Sequence, residues 1–138
     1  MLEEVKKYRV GDGFDDVDMG PMVSEAQRNH VIEQIDEAKR KGAKILLGGE
    51  KIDREGFFIE PTVITNLSEK HDIMVTETFG PVICIQKVKS GEEAVEKANK
   101  SVFGLGATVW TKNFSKGKKI AEQIESGMIG VNQGIGGV

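Results

Sequence analysis

Cysteine is nearly absent from the sequence: Cys84 is the only one in 138 residues. A lone thiol cannot close an internal disulfide, so the fold must rest on packing, and the composition suits a reducing compartment such as the cytoplasm. Long apolar runs are missing too, and a membrane-spanning helix needs roughly twenty such residues. The opening stretch "MLEEVKKYRV" is charged where a secretory signal would be apolar. Basic surface is scarce: net charge is -3, with Lys and Arg interspersed among Asp and Glu, so the chain lacks the electrostatic footprint that nucleic acid requires. One Trp and one Tyr leave no basic and aromatic interleaving for stacked bases. His30 and His71 are the only imidazoles, and neither stands at metal-ligand spacing from Cys84, which excludes a zinc site of ordinary spacing.

Glycine, by contrast, is plentiful. Seventeen residues exceed an average share of about 7% and imply many tight loops between short elements. "SEAQRNHVIEQIDEAKRKG" reads as an amphipathic helix, with Ser24 and Gln27 as a capping-box pair, Val31, Ile35 and Ala38 on one face, and Gly42 as the stop. "AKILLGGE" and "FFIEPTVITNL" read as strands, with Pro61 marking an edge or bulge because it cannot donate to a ladder.

Beyond Gly80-Pro81 the pattern predicts strand "VICIQKV", a helix capped by Ser90 and Glu93 with Ala94, Val95 and Ala98 facing inward, and strand "ATVWTKN". A helix capped by Asn113 follows, with Phe114, Ile120 and Ile124 on one face and Gly127 as its stop, and then strand "MIGVNQ". Two such crossovers imply an α/β fold with a mostly parallel sheet and β-α-β-α-β connections. No linker or low-complexity tract divides residues 1–138, so a single domain is expected, and the closing "NQGIGGV" reads as a loop cut from something longer.

Chemistry has few candidates. "GLG" at 104–106 and "GIGG" at 134–137 lack the strand and helix context of a nucleotide-binding turn and read as ordinary turns. Cys84 falls inside an apolar strand pattern, where desolvation would raise its pKa, so it reads as an inert core thiol. Glu77 and Phe79 precede a Gly-Pro turn before an apolar strand, in a loop held by the scaffold. An acid there can accept two hydroxyl hydrogen bonds, and a flat ring beside it can pack against a heterocycle. Read without further context, a surface acid and a core Phe fit these positions better than a binding pair does.

The order of segments adds that context. "VGDGFDDVDMGPMVSEAQ", "GAKILLGGE", "GFFIEPTVITNL", "DIMVTETFGPVICI", "FGLGATVWTKN" and "ESGMIGVNQ" follow one another in the register of a known family. Over nearly its whole length the chain resembles the C-terminal part of the catalytic domain in the aldehyde dehydrogenase superfamily, and the E-x-F-G-P segment is the most specific match. The resemblance implies that Glu77 binds hydroxyls of the nicotinamide ribose of NAD or NADP and that Phe79 packs near the same part of the cofactor. Thr76 departs from the pattern, since many members carry a first acid there.

The same resemblance implies what this chain does not supply. The family's nucleophilic cysteine sits in an upstream G-Q-x-C segment that nothing here matches. Its general base belongs to an E-L-G-G segment, and "LLGGE" places Leu46 where that acid would stand. No catalytic residue is therefore expected in this chain, which alone should be inert and should need an upstream half, an aldehyde substrate and, by family habit, a homo-oligomer. The family chemistry joins thiolate attack, hydride transfer and thioester hydrolysis, so each group is indispensable. Two other readings stand beside this one: a non-catalytic binding or interaction protein that kept the fold, and a related reductase of acyl phosphates or acyl-CoA, against which the E-x-F-G-P segment argues.

Overall fold

The structure, a computed structural model, describes residues 1–134, which divide into two units, Met1–Lys87 and a second beginning at Val88. Of the expected "GIGG" turn, residues 135–137 lie outside the described residues.

The first unit opens with a one-turn helix, α1 (Leu2–Val5), that buries Val5. A loop follows in which the Arg9 guanidinium pairs with Asp16 and Asp18 and draws Val10 beside Met19. Helix α2 (Glu25–Arg40) starts where the Ser24 hydroxyl accepts the Gln27 N–H, and it buries Val31, Ile35 and Ala38 on one stripe. It stops where Gly42, at φ +93°, lets the Ala43 N–H reach back to the Ala38 carbonyl. Strand β1 (Lys44–Leu47) pairs antiparallel with β2 (Thr62–Thr65), and β3 (Val82–Cys84) pairs parallel with β2 from the other side. The stripe on α2 packs with Ile59, Ile64, Leu67 and Ile73 into one core. Each such aliphatic side chain contributes about 1.5–3 kcal/mol through burial.

Pro61 stands just ahead of β2, which is the central strand of the three and not an edge. The irregularity falls on its neighbour, where the β1 register slips between Ile45 and Leu47. Cys84 also departs from expectation. It is exposed, because β3 is an outer strand and only its Val82 packs against the core.

In the second unit, α3 (Gly91–Asn99), β4 (Gly106–Val109), α4 (Phe114–Ala121) and β5 (Met128–Val131) follow in order. Ser90 caps α3 by accepting the Glu93 N–H, and the Glu93 carboxylate accepts the Lys89 N–H. Asn113 caps α4 by accepting the Lys116 N–H. Strands β4 and β5 pair in parallel across α4, which is the second expected crossover. Strand β3 belongs to the three-stranded sheet of the first unit, and β4 and β5 form the sheet of the second. The fold is α/β, with two parallel pairings and one antiparallel.

The apolar helix faces of this unit are less covered than their spacing implies. No residue of α3 is buried, Ala98 is exposed, and on α4 it is Gly117 and Ala121 that are buried while Phe114 is exposed. Helix α4 ends at Ala121, and Gly127 serves the start of β5 by donating its N–H to the Gly104 carbonyl.

Asn132, to which the sequence gives no role, extends the β4–β5 ladder with its side chain. Its amide oxygen accepts the Thr111 N–H at 2.7 Å and its amide nitrogen donates to the Thr111 carbonyl at 2.8 Å, from a backbone at φ +54° that Asn tolerates better than most residues. Asn132→Ala removes both bonds and strains the backbone, so a loss of about 1–2 kcal/mol is expected in a urea titration. A stability equal to the parent's would show that the amide clamp contributes nothing.

Candidate functional site

Glu77 and Phe79 lie in the loop between a 3-10 turn (Asp72–Met74) and β3. Ile73 is buried and seats the turn against the core. The Asp72 carbonyl accepts the N–H groups of Val75 and Thr76 at 2.9 and 2.8 Å, and the Thr76 hydroxyl donates to Asp72 Oδ1 at 2.7 Å. From α2, Gln34 Nε2 donates to Asp72 Oδ2 at 3.0 Å. The Gln34 hydrogen bond and then the Thr76 one hold the Asp72 carboxyl below the ordinary carboxylate range.

The far side of the loop is held by the same helix. Gln27 Nε2 donates to the carbonyls of Thr78 and Phe79 at 3.1 and 3.3 Å. Gly80 presses against Val31 so closely that an added Cβ would stand 2.7 Å from a Val31 methyl. The Pro81 carbonyl accepts the Thr62 N–H at 2.9 Å, which carries the chain into β3. Gln27, Val31 and Gln34 are spaced i, i+4, i+7, so a single face of α2 seats the loop.

Between these anchors the two candidate side chains point outward. Glu77 is exposed, and its carboxylate has no hydrogen-bond or ion-pair partner among the described residues. Phe79 is 76% exposed and sits at φ +43°. Positive φ on a bulky residue is strained by roughly 1–3 kcal/mol and persists only where the surroundings over-determine it. Here the Phe79 carbonyl is bonded to Gln27 and the next residue is packed on Val31. The result is a loop anchored on both sides of Glu77 that offers two free acceptor oxygens two residues from an open aromatic face.

The other candidates are not brought to this loop as reactive groups. Cys84 is exposed as a residue, yet its sulfur is desolvated enough that burial raises its pKa, which disfavours the thiolate a nucleophile needs. His71 is buried, and its Nδ1 accepts the Ser68 N–H; His30 is exposed on α2. Leu46 belongs to β1, and the glycines after it form the junction with β2. Among the described residues no three His, Cys, Asp or Glu side chains converge as metal ligands.

Sequence reasoning treats Gln27 as a cap partner and overlooks Gln34 and Asp72. The available signal is the helix stripe itself, where Gln34 stands among the apolar residues Val31, Ile35 and Ala38, since a polar side chain on a buried face needs a partner.

Comparison with known proteins decides the kinship. The sequence profile described as the aldehyde dehydrogenase family matches residues 1–138. The chain belongs to the aldehyde dehydrogenase family. A relative in Mycobacterium tuberculosis, provisionally named succinate-semialdehyde dehydrogenase [NADP(+)] 2, is 41% identical over 134 residues, covering 96% of this chain and 26% of that protein. The aldehyde dehydrogenase of Enchytraeus buchholzi is 40% identical over 132 residues, covering 95% of this chain and 27% of its own length. Among solved structures, betaine aldehyde dehydrogenase from Staphylococcus aureus in complex with NAD+ superposes with a TM-score of 0.89 at 38% identity, over 96% of this chain and 27% of that one. This aldehyde dehydrogenase family chain thus spans about a quarter of the length of the curated relatives it matches.

Proposed function

We propose that the chain supplies the loop that orients the nicotinamide ribose in an NAD(P)-dependent aldehyde dehydrogenase, an enzyme oxidising an aldehyde to a carboxylic acid. The single observation that carries the reading is the Glu77 carboxylate, exposed and without a partner among the described residues, on a loop held by Asp72 at Thr76 and by Gln27 at the carbonyls of Thr78 and Phe79. The donor set fits the cofactor. Two acceptor oxygens suit a pair of ribose hydroxyls, and the open Phe79 ring beside them suits a flat heterocycle. When bound, NAD or NADP supplies the hydride acceptor. Glu77 holds the ribose in place, Phe79 packs beside it, and the anchored loop fixes both without a reorganisation cost at the moment of reaction.

None of the described residues takes a catalytic role in this reading, and no metal is involved. Thiol and general base come from the rest of the enzyme, so the chain's partners are the family segments it does not span, an aldehyde and, in the assembled enzyme, further copies of itself. Neither nucleic acid nor membrane is among them. Residues 1–138 form part of one catalytic domain, working in the cytoplasm. No helix of the described residues is long and apolar enough to cross a membrane.

The reading predicts that the chain alone shows no NAD(P)-dependent aldehyde oxidation and that activity appears when it is co-expressed with a polypeptide carrying the family's remaining segments. Turnover by the purified chain alone that is lost in Cys84→Ser would sink this division of labour. Failure of every complementing polypeptide to bind the folded chain would favour a stand-alone binding protein.

A further inference from the structure

An acid can orient a ligand only as well as its own backbone is held. On the carboxyl side of Glu77 the anchors are Gln27 and the packed Gly80. On the amino side the holding is concentrated in one residue. Asp72 takes the Gln34 amide on Oδ2 at 3.0 Å and the Thr76 hydroxyl on Oδ1 at 2.7 Å, its N–H donates to Glu37 Oε2 at 3.4 Å, and its carbonyl receives the N–H groups of Val75 and Thr76. Gln34 is 3% exposed and therefore fixed in the wall of the core.

The geometry points to Asp72 as a positioning residue for Glu77: its carboxylate couples the rigid helix α2, through Gln34, to the hydroxyl of the residue adjoining Glu77. The proposal rests on the reading of Glu77 as the ribose-orienting acid. It also accounts for the departure at position 76. A hydroxyl there donates to the Asp72 carboxylate, whereas the acid common in the family pattern would set two like charges against each other. Thr76 is thus an anchor, although its exposure on the surface conceals that role.

The test uses Thr76→Val, Asp72→Ala, Asp72→Asn and Glu77→Gln with two readouts: amide exchange at Val75 and Thr76 of this chain, and single-turnover hydride transfer in the enzyme completed with the remaining family segments. Thr76→Val changes an exposed side chain and should fold normally, which covers the case in which Asp72→Ala does not. Both variants should raise exchange at Val75 and Thr76, whose N–H groups the Asp72 carbonyl accepts, about fivefold, leave Ile35 and Ala38 protected, and slow hydride transfer about threefold to tenfold with the aldehyde KM unchanged.

Asp72→Asn should restore both readouts, because it keeps an acceptor for Thr76 and, once the Gln34 amide turns over, its NH2 donates to Gln34 Oε1, an atom that has no partner beside Asp72. A purely structural role would instead lower the protection of Ile35 and Ala38 as well, and would not slow hydride transfer alone with the aldehyde KM unchanged. Unchanged exchange in Thr76→Val overturns the proposal, as does raised exchange with normal hydride transfer while Glu77→Gln is slow. If Glu77→Gln itself turns over at the parent rate, the assignment of Glu77 has failed, and the positioning role falls with it.

Discussion

Replacing Glu77 by glutamine in the completed enzyme is expected to slow hydride transfer by about tenfold to a hundredfold. The substitution keeps the size of the side chain and one acceptor oxygen, and it removes the charge from the hydrogen bonds to the ribose. Bonds to an ionised acceptor are worth roughly 1.5–3 kcal/mol, and each 1.36 kcal/mol is about a factor of ten in rate. On the proposed reading the effect should fall on the chemical step more than on binding, because adenosine and pyrophosphate would be held by family segments that this chain does not span. Cofactor Kd should therefore rise by a smaller factor than the single-turnover rate falls, the pattern of lost orientation. Equal rates in parent and variant would remove the role assigned to Glu77. A matched loss in Kd and rate would make it a plain binding contact.

The parts of this fold that were legible in the sequence are those fixed by neighbours within a helical turn or two. Ser24, the stripe of Val31, Ile35 and Ala38, and Gly42 declare α2 from end to end, and the caps at Ser90 and Asn113 are equally local. Strand partnership is not local. "VICIQKV" reads as a strand, but nothing within it says that Val82 aligns with Thr62. Burial of Cys84 was misread for a similar reason, since an apolar run does not say which element covers it.

At the site, the position of Glu77 and Phe79 before a Gly-Pro turn could be read directly. What fixes them could not, because Gln27 reaches Phe79 across 52 residues and Gln34 reaches Asp72 across 38. The positive φ of Phe79 follows from those distant contacts, as no local propensity favours it.

The second large effect is expected at Gly48, in the "LLGGE" stretch that resembles a catalytic motif without its acid. Gly48 sits at φ +65°, and an added Cβ would stand 2.3 Å from the Pro61 carbonyl oxygen, a backbone atom that cannot swing aside. The next residue depends on the same close approach: the Gly49 N–H donates to Thr62 Oγ1 at 2.9 Å, and that hydroxyl donates to the Glu60 carbonyl at 2.8 Å. Gly48→Ala therefore combines a left-handed backbone, a steric overlap and a threatened buried hydrogen bond, together about 3–5 kcal/mol. Two other glycines separate the terms. Gly42 is also at positive φ but would meet nothing within 4 Å, so Gly42→Ala should cost only about 1 kcal/mol, and Gly20, with open space and no such φ, should be near neutral. Urea titrations of the three variants should rank them in that order. If Gly48→Ala lies within 1 kcal/mol of Gly42→Ala, the approach of Pro61 is looser than described. The consequence reaches the site, because the N–H of Thr62 is what receives the chain at Pro81 as it leaves the Glu77 loop. Amide exchange along β3 should therefore quicken in Gly48→Ala and in neither of the other two.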